Sequence, residues 1–142
     1  MKRLSLLTAV IICMLSVGCS DKKQESQTLI LANNLHLEAI KTQESLEQKL
    51  MHIRNDAIKA HNPVLLHKSD SLKEQVELWK ESVMEVPGFD HEHKHGEHHE
   101  HRPAPKMTDH SMLQYQQEAK NAIDSLEHGA ITLEEKYKTI LQ

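Results

Sequence analysis

The chain has 142 residues, 17 Lys plus Arg against 21 Asp plus Glu, and a formal charge of -4, which is material for one small domain. Four aromatic residues (Phe89, Trp79, Tyr115 and Tyr137) and four glycines are too few for a sandwich or barrel, whose strands favour aromatic and β-branched residues and whose turns need Gly and Pro. An acidic balance without a basic patch excludes nucleic acid as a partner, because phosphate neutralisation needs clustered Lys and Arg.

In chain order, Lys2 and Arg3 precede Leu4 to Val17, an apolar run of 14 residues that is too short to cross a bilayer and is built like the centre of a secretory signal. Leu15-Ser16-Val17-Gly18-Cys19, followed by polar Ser20-Asp21-Lys22-Lys23, resembles a bacterial lipoprotein signal, in which a peptidase cuts before a Cys that carries the lipid. Ser16 stands where that pattern more often has Leu. The expectation is a cleaved signal over residues 1–18, a lipid on Cys19, a tether over 19–28 and a helical domain over 29–142. The unlipidated alternative is ordinary secretion. Removal of residues 1–18 takes Lys2 and Arg3 away, leaving 15 basic against 21 acidic side chains and a charge of -6. Cys13 leaves with the signal and Cys19 is acylated, so thiolate catalysis, disulfides and cysteine zinc sites are excluded.

From about Thr28 to Ala60, the positions Leu35, Ala39, Leu46, Leu50, Ile53 and Ala57 recur at three- and four-residue steps, with Thr42 filling the gap, which predicts one amphipathic helix. His61-Asn62-Pro63 ends it, Asn suiting a cap and Pro the first position of a second helix; the alternative is a kink in one long helix. Leu65, Ser69, Leu72, Val76, Trp79, Val83 and Val86 carry the second stripe to Pro87-Gly88. Thr108 and Asp109 offer caps for a third helix with the stripe Met112, Tyr115, Ala119, Ile123, Leu126, Ala130, Leu133, Tyr137 and Ile140. No such stripe hides itself, so the fold class is all-α, an antiparallel three-helix bundle or long helical hairpin. At 1.5 Å per residue the first helix is about 50 Å long and the second about 36 Å, so the first should overhang near the lipid. Trp79 on its stripe is read as packing.

Between the second and third helices, residues 87–107 hold Asp90-His91-Glu92-His93-Lys94-His95-Gly96-Glu97-His98-His99-Glu100-His101-Arg102-Pro103, with six of the chain's 12 His. The stretch has almost no apolar residues to offset ordering entropy and is expected to be a disordered loop. Neutral imidazole donates to borderline cations. His91, His93 and His95 fall on one side of an extended strand, His98, His99 and His101 repeat the supply, and Asp90, Glu92, Glu97 and Glu100 can complete a shell. The candidate metal ligands are these six, with Zn(II), Cu(II) and Ni(II) all expected to bind because a loop lacks the rigid geometry that discriminates among them. No cofactor is required.

Two other readings stand beside metal binding. The tract is a solvated spacer, or it is a pH-responsive element, since 12 imidazoles titrating near pH 6.5 would swing the mature chain from -6 toward +6. An up-down-up path returns the loop to the end where the first helix starts, bringing His36 and His110 toward it and leaving His61 and His67 at the far end. The second helix, stepped back from Asn62, places Val86 opposite a residue near His36, the best candidate for a fixed ligand. Taken singly, His36, His52, His61, His67 and His128 read as surface or stripe-edge residues. Met84, Met107 and Met112 flank the loop, where thioethers suit Cu(I), but packing is the favoured reading. Catalysis is not expected: there is no phosphate cradle and no nucleophile beside a base, and His98-His99-Glu100-His101 has the wrong spacing for a helical zinc site.

The lipoprotein signal, His36-Leu37-Glu38 opening the first stripe, Ser71-Leu72 to Leu78-Trp79 with Val83-Met84, and Tyr115 to Ala130 with Ala119, Ile123 and Leu126 together resemble small Bacteroidota envelope lipoproteins that carry the automatic label "viral A-type inclusion protein". The likeness spans roughly Leu29 to Ala130 and brings no activity with it; those relatives have a much shorter second loop, so the His segment belongs to this chain. The expected function is a lipid-anchored envelope protein that binds or buffers divalent transition metals. The alternative is a structural lipoprotein that presents helical faces to an envelope partner or a second copy. The expected location is a bacterial membrane, the outer ahead of the inner, on the periplasmic or surface side.

Overall fold

A computed structural model describes residues 26–89 and 104–138. The signal, Cys19, the tether to residue 25, His91, His93, His95, His98, His99 and His101, and the stripe position Ile140 lie outside the described residues. The described chain is all-helical, a three-helix bundle of α1 (Gln27–Lys59), α2 (Pro63–Ser82) and α3 (Asp109–Lys138).

The turn between α1 and α2 reverses the chain. His61 takes a left-handed φ of 51°, and its amide and that of Asn62 donate back to the carbonyls of Ile58 and Ala57 at 3.1 and 2.9 Å. This is the paired closure that usually has Gly at its left-handed position. Asn62 Oδ1 then accepts from Leu65 N at 3.0 Å and Pro63 fills the first helical position, where its missing N–H costs nothing. Thr108 caps α3 through its Oγ1, which accepts from Ser111 N at 3.2 Å, and Asp109 stands in the first turn, where a carboxylate favours the helix dipole.

Ion pairs fix the path. Arg54 with Asp70 at 3.0 Å and Lys80 with Glu47 at 2.9 Å run α2 antiparallel to α1. Lys49 with Glu134 at 3.4 Å, together with Ala32 clustering with Met112, runs α3 parallel to α1, so both helices begin at the same end. Burial lowers the Lys80 ammonium pKa, but hydrogen bonds and charge from Glu47 and then Glu77 outweigh it and hold the group above its ordinary value. The main core joins Leu46, Leu50 and Ile53 of α1, Leu65, Val76 and Trp79 of α2, and Ile123, Ala130 and Leu133 of α3.

Four expectations change. α2 ends at Ser82, not at Val86: Val83 has φ -67° and ψ 135°, and the segment through Val86 is extended. Pro87 disfavours helix in the residue before it, and α3 supplies partners for the freed backbone: Tyr115 Oη donates to Ser82 O at 2.7 Å and Gln116 Nε2 to Met84 O at 2.7 Å. The extended run also moves the register. Four residues at about 3.3 Å instead of 1.5 Å advance the chain about 7 Å farther, so Val86 clusters with Ala32, one turn beyond His36. For the same reason the start of α1 does not overhang: Ala32 is buried under this segment. The stripes shift as well. Leu35, Thr42 and Tyr115 are half-buried, whereas Asn33, His36, Gln43 and Gln116 are buried.

Gly129 is half-buried within α3, and a methyl there would stand 3.6 Å from Leu72 Cδ2, an ordinary contact. Glycine in a helix interior costs close to 1 kcal/mol relative to alanine. Gly129→Ala is therefore expected to raise stability by about 0.5–1 kcal/mol, read as a higher urea midpoint; a lower midpoint would mean that α2 and α3 cannot admit the methyl.

Candidate functional site

The flanks of the His-rich segment meet at one place. Pro87 and Gly88 make a tight turn closed by Phe89 N donating to Val86 O at 3.3 Å, with Gly88 at φ 90°, a conformation glycine adopts without strain. Phe89 then packs against the small core of Ala32, Val86 and Met112, and so do Ala104 and Met107 on the other side of the segment. This is the end where α1 and α3 begin. Six residues, 20–25, separate Cys19 from Ser26, so the seven steps between them reach no more than about 25 Å.

Beneath the flanks lies a cavity of about 610 Å³ whose lining includes Leu29, Phe89, Met107 and Met112, with Lys106 and Asp109 also on its wall. Met112 is 1 % exposed and belongs to the apolar cluster, with Gln116 Nε2 at 3.6 Å from its sulfur; Met107 packs against the same cluster. Packing accounts for both thioethers.

Of the two candidate ligands that are described, His110 is exposed in the first turn of α3, at the same end as the flanks. His36 is fully buried. The surface reading of His36 is thus corrected: it lies on the inner face of α1, between Ala32 and Ala39, and forms part of the packed interior. His52, His61, His67 and His128 are exposed, as a surface reading expects, with His61 and His67 at the opposite end. Among the described residues no three His, Cys, Asp or Glu side chains stand together as a metal site, and no described helix is long and apolar enough to cross a membrane.

Two polar residues at this end are not visible from hydropathy alone. Gln116 is fully buried and fastens the extended segment through Met84 O. Asn33 is 8 % exposed, and its Oδ1 has no hydrogen-bond partner among the described residues. Their signal was position: Gln116 follows Met112 by four residues and Asn33 precedes His36 by three, the spacing of one helix face. Tyr115 completes the clamp. Burial pushes its phenol above the ordinary value, against the opposing hydrogen bond that the Met84 amide donates.

Comparison with protein-family models, with curated proteins and with solved structures finds no match to this chain.

Proposed function

We propose that this chain is a lipid-anchored protein of a bacterial envelope, attached through Cys19, that binds or buffers Zn(II), Cu(II) or Ni(II) through His91, His93, His95, His98, His99 and His101 and performs no catalysis. The observation that carries the reading is the crowding of six imidazoles and four carboxylates into residues 90–103, between flanks that both pack on one small cluster at the start of α1. Fixing both flanks lowers the entropy that a bound ion must overcome, because part of the loop is already closed. His110, exposed beside the flanks, is within the same neighbourhood and is the candidate supplementary ligand; His36 would have to leave the interior to serve. The resemblance to small Bacteroidota envelope lipoproteins belongs to this proposal, as do the membrane contact through the lipid and the absence of a nucleic-acid partner.

A second reading rests on a different observation. Leu37, Met51 and Ile58 of α1 are about half-exposed and fall at seven-residue spacing with Glu44 in the gap, an outward stripe suited to an envelope partner or a second copy. In that reading the His segment is a spacer or a pH-responsive element.

Calorimetric titration of the full chain in detergent with Zn(II) and Cu(II) separates the two. Metal binding predicts saturable, low-micromolar or tighter uptake that is lost when residues 90–102 are deleted; uptake equal in both proteins, or none, leaves the interaction reading. Loss of membrane association in Cys19→Ser tests the anchor independently.

A further inference from the structure

The buried residues form two separate apolar clusters, and the level between them is polar. The large one runs from Ala39 to the far end of the bundle; the small one has only Ala32, Val86 and Met112 fully buried. One helical turn beyond Ala32 is His36, and one turn beyond Met112 on the parallel helix is Gln116, both at 0 % exposure. Asn33 adds a third buried polar side chain to this end.

We infer that this end is a distinct cooperative unit, made of the start of α1, the segment Met84–Phe89 and the start of α3, which opens while the main bundle stays folded. Three features carry the inference. Three buried apolar side chains, with Leu29, Phe89, Ala104, Met107, Leu113 and Tyr115 only partly buried against them, supply less burial than the thirteen buried residues of the main cluster, so the unit has less to lose on opening. Its boundary is weakened, because Asn33 Oδ1 and Gln116 Oε1 are buried without a hydrogen-bond partner among the described residues, and an unsatisfied buried acceptor costs more than a hydrogen bond gains. Finally, Met84–Phe89 has no helical ladder. Its hold on α3 consists of Gln116 on Met84, the Met84 amide on the Tyr115 phenol and Tyr115 on the adjoining Ser82, plus the burial of Val86. A low-stability end of this kind is where a fold rearranges in response to a ligand or partner, and the inference holds whether or not the chain binds metal.

Native-state hydrogen exchange on the full chain, localised by mass spectrometry, tests it with two variants of opposite sign. In the wild type, amides of residues 84–89 and of the first turns of α1 should be at least about a hundredfold less protected than those around Leu46 and Ile123, since local openings span the range up to global unfolding. Asn33→Leu removes a buried acceptor without removing volume and should raise protection at this end about tenfold; Tyr115→Phe removes the Ser82 clamp and should lower it about fivefold, from the usual cost of such groups. Neither should move the main cluster. Uniform protection across the molecule, equal shifts at both ends in the variants, or lower protection in Asn33→Leu would overturn the inference.

Discussion

Trp79→Ala is expected to lower the unfolding free energy by about 3–5 kcal/mol, the range for truncating a large buried aromatic. Trp79 is 7 % exposed and lies in the main cluster, and its Nε1 donates to Ala119 O at 2.9 Å, tying α2 to α3. The effect is concentrated there because α2, with 20 residues, buries only Leu65, Ser69, Val76 and Trp79, and Ser69 contributes no apolar mass. Small domains have about 5–15 kcal/mol in total, so the variant should be marginal. Trp79→Phe keeps most of the ring and loses the N–H; about 1–2 kcal/mol is expected for that partial loss. Urea denaturation followed by far-ultraviolet circular dichroism, which does not depend on the indole, gives both values. A shift of the midpoint at constant slope is the expected form; a Trp79→Ala loss below about 1 kcal/mol would show that α2 is held by its ion pairs. Those pairs are a poor candidate for the task, because exposed or half-exposed ones contribute only about 0.2–1 kcal/mol each, and Arg54 and Asp70 are both 47 % exposed.

The starts of α2 and α3 were legible because independent signals agreed at each of them. At Asn62-Pro63 a capping side chain, a residue that suits only a first turn, and a break in the apolar stripe coincide, and α2 starts there. At Thr108-Asp109 a cap and a first-turn acid coincide, and α3 starts there. The end of α2 was not legible, because periodicity cannot separate a helix from an extended strand when both bury the same residues: Val83 and Val86 are each 1 % exposed with the backbone extended. What decides it is a long-range supply of partners, Tyr115 and Gln116, 32 to 33 residues away. Hydropathy also misassigned the inner face at Leu35 and Thr42, where His36 and Gln43 are the buried residues. Both take the place that the three- and four-residue steps from Ala39 and Leu46 require, so geometry outweighed polarity. At the candidate site, the convergence of the two flanks follows from the up-down-up path, whereas the polar clamp beneath them depends on contacts that no local pattern encodes.

If imidazoles hold the ion, affinity must collapse on mild acidification. A metal competes with the proton for each ring nitrogen; with an ordinary imidazole value near 6.5, lowering the pH from 7.5 to 5.5 costs each ligand about tenfold in free base, so three ligands imply a loss of about a thousandfold. The sign is fixed, since protonation removes the lone pair that binds. Global acid unfolding through the bundle's carboxylates belongs to a lower pH. Glu134 is held below its ordinary value of 4.5 mainly by its hydrogen bond to Lys138, then by the charges of Lys138 and Lys49 and a hydrogen bond from Lys49, with burial opposing. A carboxyl lowered on folding contributes stability that is present above its unfolded value and fades only as the pH falls below it. Zn(II) titrations of the full chain at pH 7.5, 6.5 and 5.5, with circular dichroism at each pH, should therefore show affinity falling by about three orders of magnitude while helix content is retained. Replacing His91, His93 and His95 with Ser should flatten that dependence by removing ligands, and His110→Ala should weaken binding only severalfold if it is supplementary. Affinity that changes less than about tenfold over this range would mean that fewer than two imidazoles take part, leaving the carboxylates of residues 90–103 as the binding groups and hard cations as their natural ligands.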